Sequence, residues 1–223
     1  MSTRSAAHES DNKPLIAVLD YGIGNLRSAQ KGLQFVGADA RLTSDLKLIA
    51  DADAVVLPGV GNFGACMNAL RQAGLEASVH EAIASTRPFL GICVGMQMLF
   101  ESSQESPGVT GLGVVAGEIR WLPSEVQKPQ MQWNQLKIIK QDEMFANISE
   151  NPWMYFVHSL SAVPNKQSVV VANCSYGTDL VAAIRHENIF ATQFHPEKSA
   201  TEGLKILENF VATCGAERAG AKI

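Results

Sequence analysis

Apolar residues run almost unbroken through LIAVLDYG (15–22), DAVVLPG (53–59) and FLGIC (89–93), as in strands covered on both faces of a parallel sheet. Between these runs the period changes. Leu26, Ala29, Leu33 and Val36 recur at helical spacing until Gly37 ends the pattern, and FGACMNALRQAG (63–74) and LEASVHEAIAS (75–85) also read as helices. ADARLTSD (38–45) fits one more strand. After FLGIC the residues VGMQMLF return at once to a helix-like pattern. The alternation predicts a parallel sheet with helices on both faces, whose ligand groups lie beyond the carboxyl ends of the strands.

The second half has another character. GLGVVAGEIRWLP (111–123) and MQWNQLKII (131–139) predict mixed or antiparallel strands joined by Gly-rich turns. MYFVHSLSAV (154–163), SVVVANCSYG (168–177) and LVAAIRHENIFATQFHPE (180–197) add three or four strands, and TEGLKILENFVATC (201–214) closes the pattern as an amphipathic helix. The predicted class is α/β, a flavodoxin-like open and mostly parallel sheet with a mixed elaboration in its second half. One domain is expected over residues 14–214, after a polar, disordered lead-in (1–13) and before a tail (215–223).

Composition narrows the function. The 223 residues are 46% hydrophobic, with 18 Lys+Arg against 22 Asp+Glu. No basic stripe tracks a phosphate backbone, so a nucleic-acid partner is disfavoured. Four cysteines (66, 93, 174, 214) form no CxxC or zinc spacing, which fits reduced thiols in a cytoplasmic compartment and no metal. No signal peptide or membrane-spanning run is expected.

The chemistry centres on Cys93. A strand that ends in Gly91-Ile92-Cys93-Val94-Gly95 and passes into a helix has the form of a nucleophile elbow. Flanking glycines allow a sharp turn and an uncrowded thiol, and a helix N-terminus favours the thiolate. Taken alone, a small buried hydrophobe at a strand end is an equal reading. Cys66 and Cys174 lack the glycine framing.

A thiolate nucleophile needs a base. His8 lies in the lead-in, His80 in a helical pattern and His186 among charges, whereas His158 (YFVHS) and His195 (TQFHPEKS) each end an apolar run. His195 and Glu197 lie two apart and, in an extended segment, point the same way. That suits a carboxylate that orients an imidazole. Cys93, His195 and Glu197 then make a set for acyl transfer through a thioester. LPGVGNFG (57–64) offers successive backbone N–H groups for an anionic intermediate. It and DYGIGNL (20–26) lack the GxGxxG and GxxxxGK[ST] forms, and no cofactor is expected.

Together GICVGMQ, YFVHS and QFHPEKS resemble the class I (triad) glutamine amidotransferases. With DYGIGN and PGVGNF the likeness, over about residues 14–213, is to the glutaminase subunits of imidazole glycerol phosphate synthases. The resemblance implies that Cys93 attacks the side-chain amide of glutamine, that His195 acts as base and then acid, and that Glu197 orients it. It assigns the oxyanion segment to Gly59, Val60 and Gly61, with Val94 beside the nucleophile, and substrate contacts to Gln97, Ser159 and Leu160. The same resemblance implies that ammonia passes to a cyclase partner, a (β/α)8 barrel in a heterodimer, which makes imidazole glycerol phosphate and AICAR. A dry route keeps ammonia unprotonated. Trp133, Tyr155, His158 and Lys198 are candidate interface residues.

The chain departs from the family pattern where Gln132 replaces a usual glycine in MQWN, where Gln130 stands for a more common histidine or other polar residue, and at Leu160 and Ala200. None touches the triad; they leave the acceptor pathway open. Two other readings stand beside this one: a glutaminase of the anthranilate, GMP or surface-sugar type, and a non-catalytic flavodoxin-like binding or stress protein.

Overall fold

The structure, a computed structural model, describes residues 13–220, with side chains to residue 214. Apart from Lys13 the lead-in lies outside the described residues, as do residues 221–223 of the tail.

The apolar runs form β1 (Leu15–Leu19), β3 (Ala54–Gly59) and β4 (Phe89–Cys93), and the shorter pattern forms β2 (Asp39–Thr43). These four pair in parallel, in the order β2-β1-β3-β4, and β12 (Ile189–Thr192) adds a fifth parallel strand beside β4. From there the sheet turns antiparallel through β11 (Asp179–His186), β10 (Val170–Ser175), β7 (Gln130–Ile138) and β8 (Trp153–His158). Every residue of β3 and β4 is buried, while β7 exposes much of its length. Helices α1 (Leu26–Phe35), α2 (Leu46–Asp51), α3 (Phe63–Gln72) and α4 (Glu76–Ala84) cover the parallel half, and α6 (Ala200–Gly220) packs beside α1. The α/β class and the mixed second half are as the pattern predicts.

Four details differ from the sequence reading. The helix after Cys93, α5 (Val94–Met98), is barely one turn long, and β5 (Phe100–Ser103) follows directly. Met98 and Leu99 carbonyls, which would continue the helix, instead accept from the N–H groups of Leu112, Val114 and Val115. Gly111 permits this approach, since a Cβ there would lie 2.0 Å from the Phe100 carbonyl oxygen.

The run 154–163 is not one strand but two. β8 pairs with β7, and β9 (Leu160–Pro164) leaves for a second sheet with β6 (Val115–Trp121) and β5. Ser159 is the corner, and its carbonyl accepts from Leu122 N–H at 2.9 Å. Helix α2, which the alternation gives no hint of, starts where Asp45 Oδ1 accepts from Leu48 N–H at 2.9 Å, a side-chain cap. The terminal helix continues beyond residue 214 to Gly220. Among the described residues no helix is long and apolar enough to cross a membrane.

Candidate active site

Cys93 sits at the last position of β4 and caps α5 with φ 55° and ψ −112°. A non-glycine residue in that region stores about 1–3 kcal/mol of strain. The sharp turn is thus made by the cysteine itself, and the flanking glycines serve close packing. A Cβ on Gly95 would lie 1.8 Å from the Leu57 carbonyl oxygen, and one on Gly91 would lie 3.1 Å from Ala191 Cβ and 3.2 Å from the Met96 backbone. They let α5 settle against β3 and let β4 approach β12, so the sulfur is held at a fixed place on the sheet edge.

β12 pairs with β4 and so carries the following segment to the same edge. His195 Nδ1 lies 2.8 Å from Glu197 Oε1, with both side chains 2% exposed. Their meeting does not come from strand alternation. His195 is extended (φ −99°, ψ 98°), but Pro196–Lys198 form a 3-10 turn that folds Glu197 back. The turn is anchored to β8, because His195 N–H donates to the Tyr155 carbonyl at 3.0 Å and Tyr155 N–H donates to Ser199 Oγ at 2.9 Å, while Ser199 Oγ closes the turn by donating to the His195 carbonyl at 2.6 Å.

With Nδ1–H given to the carboxylate, Nε2 is the free end of the ring; it is buried and makes no complete hydrogen bond. It lies within interaction range of the Cys93 sulfur. Burial opposes a charge on His195, but the contacts with Cys93 and Glu197 and their negative charges outweigh it, and its pKa is pushed up to about 10. A protonated ring, held by the carboxylate on one side and facing the sulfur on the other, is the charge state of His195 this geometry favours.

Cys93 and His195 open on one cavity of about 250 Å³. Val60, Gly61, Val94 and Gln97 line it on the nucleophile's side, and Ser159 and Leu160 line it from the corner between the two sheets. Gly59 pairs in register with Cys93, and its missing side chain leaves room for the Gly95 N–H, which a Cβ would approach to 2.7 Å. The Cys66 thiol, on α3, donates to the Val60 carbonyl at 3.3 Å; burial pushes that thiol up to about 11, so it remains a neutral donor.

Two residues of the site escape the sequence reading. Glu105 lines the cavity and its Oε2 accepts from Phe63 N–H at 2.7 Å at the start of α3. Its place depends on the tertiary path of β5, and ESSQES carries no spacing signal for it. Gln193 is fully buried, with its amide between Gln97 and Cys93. A polar residue inside the apolar run FATQF, two before His195, was the available clue.

Trp133 faces Tyr155 across the β7/β8 pair, with ring centroids 6.0 Å apart, and Lys198 Nζ stands 6.0 Å over the Tyr155 ring. Trp133 is 45% exposed, and Met131 and Trp153 extend the same exposed edge. His158 stands apart from these three: it is 6% exposed and lines the cavity. Among the described residues no group of three or more His, Cys, Asp or Glu could hold a metal ion.

Residues 18–214 match the family Glutamine amidotransferase class-I. The chain is 46% identical over 202 residues to imidazole glycerol phosphate synthase subunit HisH of Geobacter sulfurreducens, a match covering 87% of this chain and 97% of that protein. It is 49% identical over 197 residues to the subunit of the same name from Methanothermobacter thermautotrophicus, covering 88% and 98%. Among solved structures, a glutamine amidotransferase superposes with a TM-score of 0.71 at 20% identity, covering 90% of this chain and 98% of that one, and so shares the fold. On sequence and fold together, the chain belongs to the class-I glutamine amidotransferases, within the HisH family of imidazole glycerol phosphate synthase subunits.

Proposed function

We infer that this chain hydrolyses glutamine to glutamate and ammonia as the glutaminase subunit of an imidazole glycerol phosphate synthase. The observation that carries the reading is the convergence of Cys93 and the His195–Glu197 pair on one cavity, in a chain 46% and 49% identical to subunits of that name. Identity at that level along nearly the whole chain favours it over the anthranilate, GMP and surface-sugar glutaminases and over a silent binding protein.

In this reading the Cys93 sulfur attacks the amide carbon of glutamine, and the oxyanion that forms is met by the Val94 N–H and the Gly59-Val60-Gly61 backbone. The His195 imidazolium gives its Nε2 proton to the departing nitrogen, which leaves as ammonia, and a glutamyl thioester remains. Neutral His195 then takes a proton from water, whose oxygen attacks the thioester; glutamate leaves and the thiolate re-forms with the imidazolium. Glu197 holds the ring throughout. Glu105 and the Gln97 carbonyl oxygen are acceptors for the substrate's ammonium, and the backbone at Ser159 and Leu160 flanks its carboxylate.

The ammonia acceptor is a cyclase subunit, a (β/α)8 barrel in a heterodimer. The exposed edge with Trp133, Met131 and Trp153, beside the half-buried Tyr155, supports docking there. Four free, buried thiols suit the reducing cytoplasm.

Mixing the chain with a cyclase subunit tests the reading. Glutamate release is expected to rise when the cyclase carries its acceptor, and Cys93→Ala is expected to abolish release while the two chains still associate. Unchanged release in Cys93→Ala would sink it.

A further inference from the structure

Gln193 follows β12 with no solvent exposure, and its backbone N–H donates to the Ala182 carbonyl at 2.8 Å, which keeps its side chain directed at the site. Its Nε2 donates toward the Cys93 sulfur at 3.8 Å, and its Oε1 accepts from Gln97 Nε2 at 3.0 Å. Two buried amides thus form a chain from the nucleophile to the cavity wall.

The direction of that chain is not free. A thiolate only accepts hydrogen bonds, so Gln193 must turn its NH2 toward sulfur. Its oxygen then faces Gln97 and needs a donor, which only the Gln97 NH2 supplies. Gln97 is left with its carbonyl oxygen for a ligand, and the cavity wall becomes an acceptor for a cationic group. Without Gln193, the Gln97 amide could present either end, at similar energy.

We propose that Gln193 is a positioning residue that steadies the Cys93 thiolate through Nε2 and, through Oε1, sets the Gln97 amide with its oxygen toward the substrate's ammonium group. The substrate half rests on the glutaminase reading. The sulfur half does not.

Iodoacetamide alkylation of Cys93 in the full chain, located by mass spectrometry, tests both halves. Gln193→Met removes both hydrogen bonds. Gln193→Glu keeps the heavy-atom shape, and so the packing, but sets an oxygen against the sulfur. The other titratable groups acting on Cys93 are His195 with Glu197, Tyr21 and Cys66, with Glu105 across the cavity. These groups are common to wild type and both variants; Gln193→Glu adds a carboxylate of its own, so the neutral Gln193→Met is the variant that reads the lost amide.

The pH midpoint of alkylation is expected to rise by about one unit in Gln193→Met and further in Gln193→Glu. The glutamine concentration that half-protects Cys93 is expected to rise about tenfold in both. A role in packing alone moves neither. An unchanged midpoint in a variant with the wild-type circular dichroism overturns the sulfur half, and unchanged half-protection overturns the substrate half. Should glutamine fail to protect wild-type Cys93, the glutaminase reading is at fault, and the midpoint comparison still decides the sulfur contact.

Discussion

His158 Nε2 and Gln130 Oε1 stand 2.9 Å apart across the β7/β8 pair, both residues buried, while His158 Nδ1 donates to the Leu160 carbonyl at 2.7 Å. Burial holds His158 down at about 4, so the ring is neutral near neutrality and Nε2 is an acceptor. A half turn of the Gln130 amide satisfies it. The Gln130 NH2, otherwise buried without a partner, then donates to His158, and the amide oxygen comes to the Cys174 thiol, which burial keeps protonated at up to about 12.

The pH dependence of stability follows from this neutral ring. An unfolded His158 binds a proton below about 6.5 and the folded one only below about 4, so its contribution is present above 6.5 and lost as pH falls through 4. The full shift corresponds to about 3 kcal/mol. Urea unfolding near neutral pH and near pH ~4 is expected to show a larger acid loss in wild type than in His158→Asn. Equal losses would rule out the buried neutral ring.

For His195 the sign reverses. Its folded pKa, about 10, lies above the unfolded value, so its contribution is complete below about 6.5 and is lost as pH rises through 10. Cys93→Ala removes the sulfur's share and leaves Glu197. NMR titration of the His195 ring is therefore expected to give a lower midpoint in Cys93→Ala than in wild type.

Glycine substitutions separate the elbow's packing from ordinary helix packing. Gly95→Ala drives a methyl into the Leu57 carbonyl, a backbone atom that cannot move aside, and a loss of at least about 3 kcal/mol is expected from denaturant unfolding. Gly32→Ala, within α1, meets the flexible Leu207 Cδ1 at 2.8 Å. There the gain in helix propensity, about 1 kcal/mol, offsets the adjustment, and a change near zero is expected.

Ala200 opens α6 with φ 49°. The left-handed region costs a residue with a Cβ about 1–2 kcal/mol, while glycine's freer unfolded chain gives back about 0.4–1. Ala200→Gly is expected to raise stability by about 1 kcal/mol or less, with glutaminase activity unchanged. A lowered melting temperature would contradict it.

The parallel half was legible because β1, β3 and β4 are buried on both faces and read as unbroken apolar runs. The elbow is legible through its glycines, but it is Cys93 that carries the positive φ, while the glycines admit neighbouring backbone. Pairing of His195 with Glu197 was expected from alternation, and a 3-10 turn brings it about. What periodicity could not reveal was set by distant partners. Leu112 and Val114 end α5 early, Leu122 meets the break at Ser159, and β5 carries Glu105 to the cavity. Gln193 shows its part only once Gln97 and Cys93 are seen on either side of it.

The break at Ser159 has a mechanical consequence. Between Trp153 and Pro164 it is the single residue outside a strand, and the two strands it joins are stitched into different sheets. The cavity wall at 159–160 therefore has no slack of its own. Ser159 and Leu160 line the cavity at the seam where the large sheet hands the chain over to the small one.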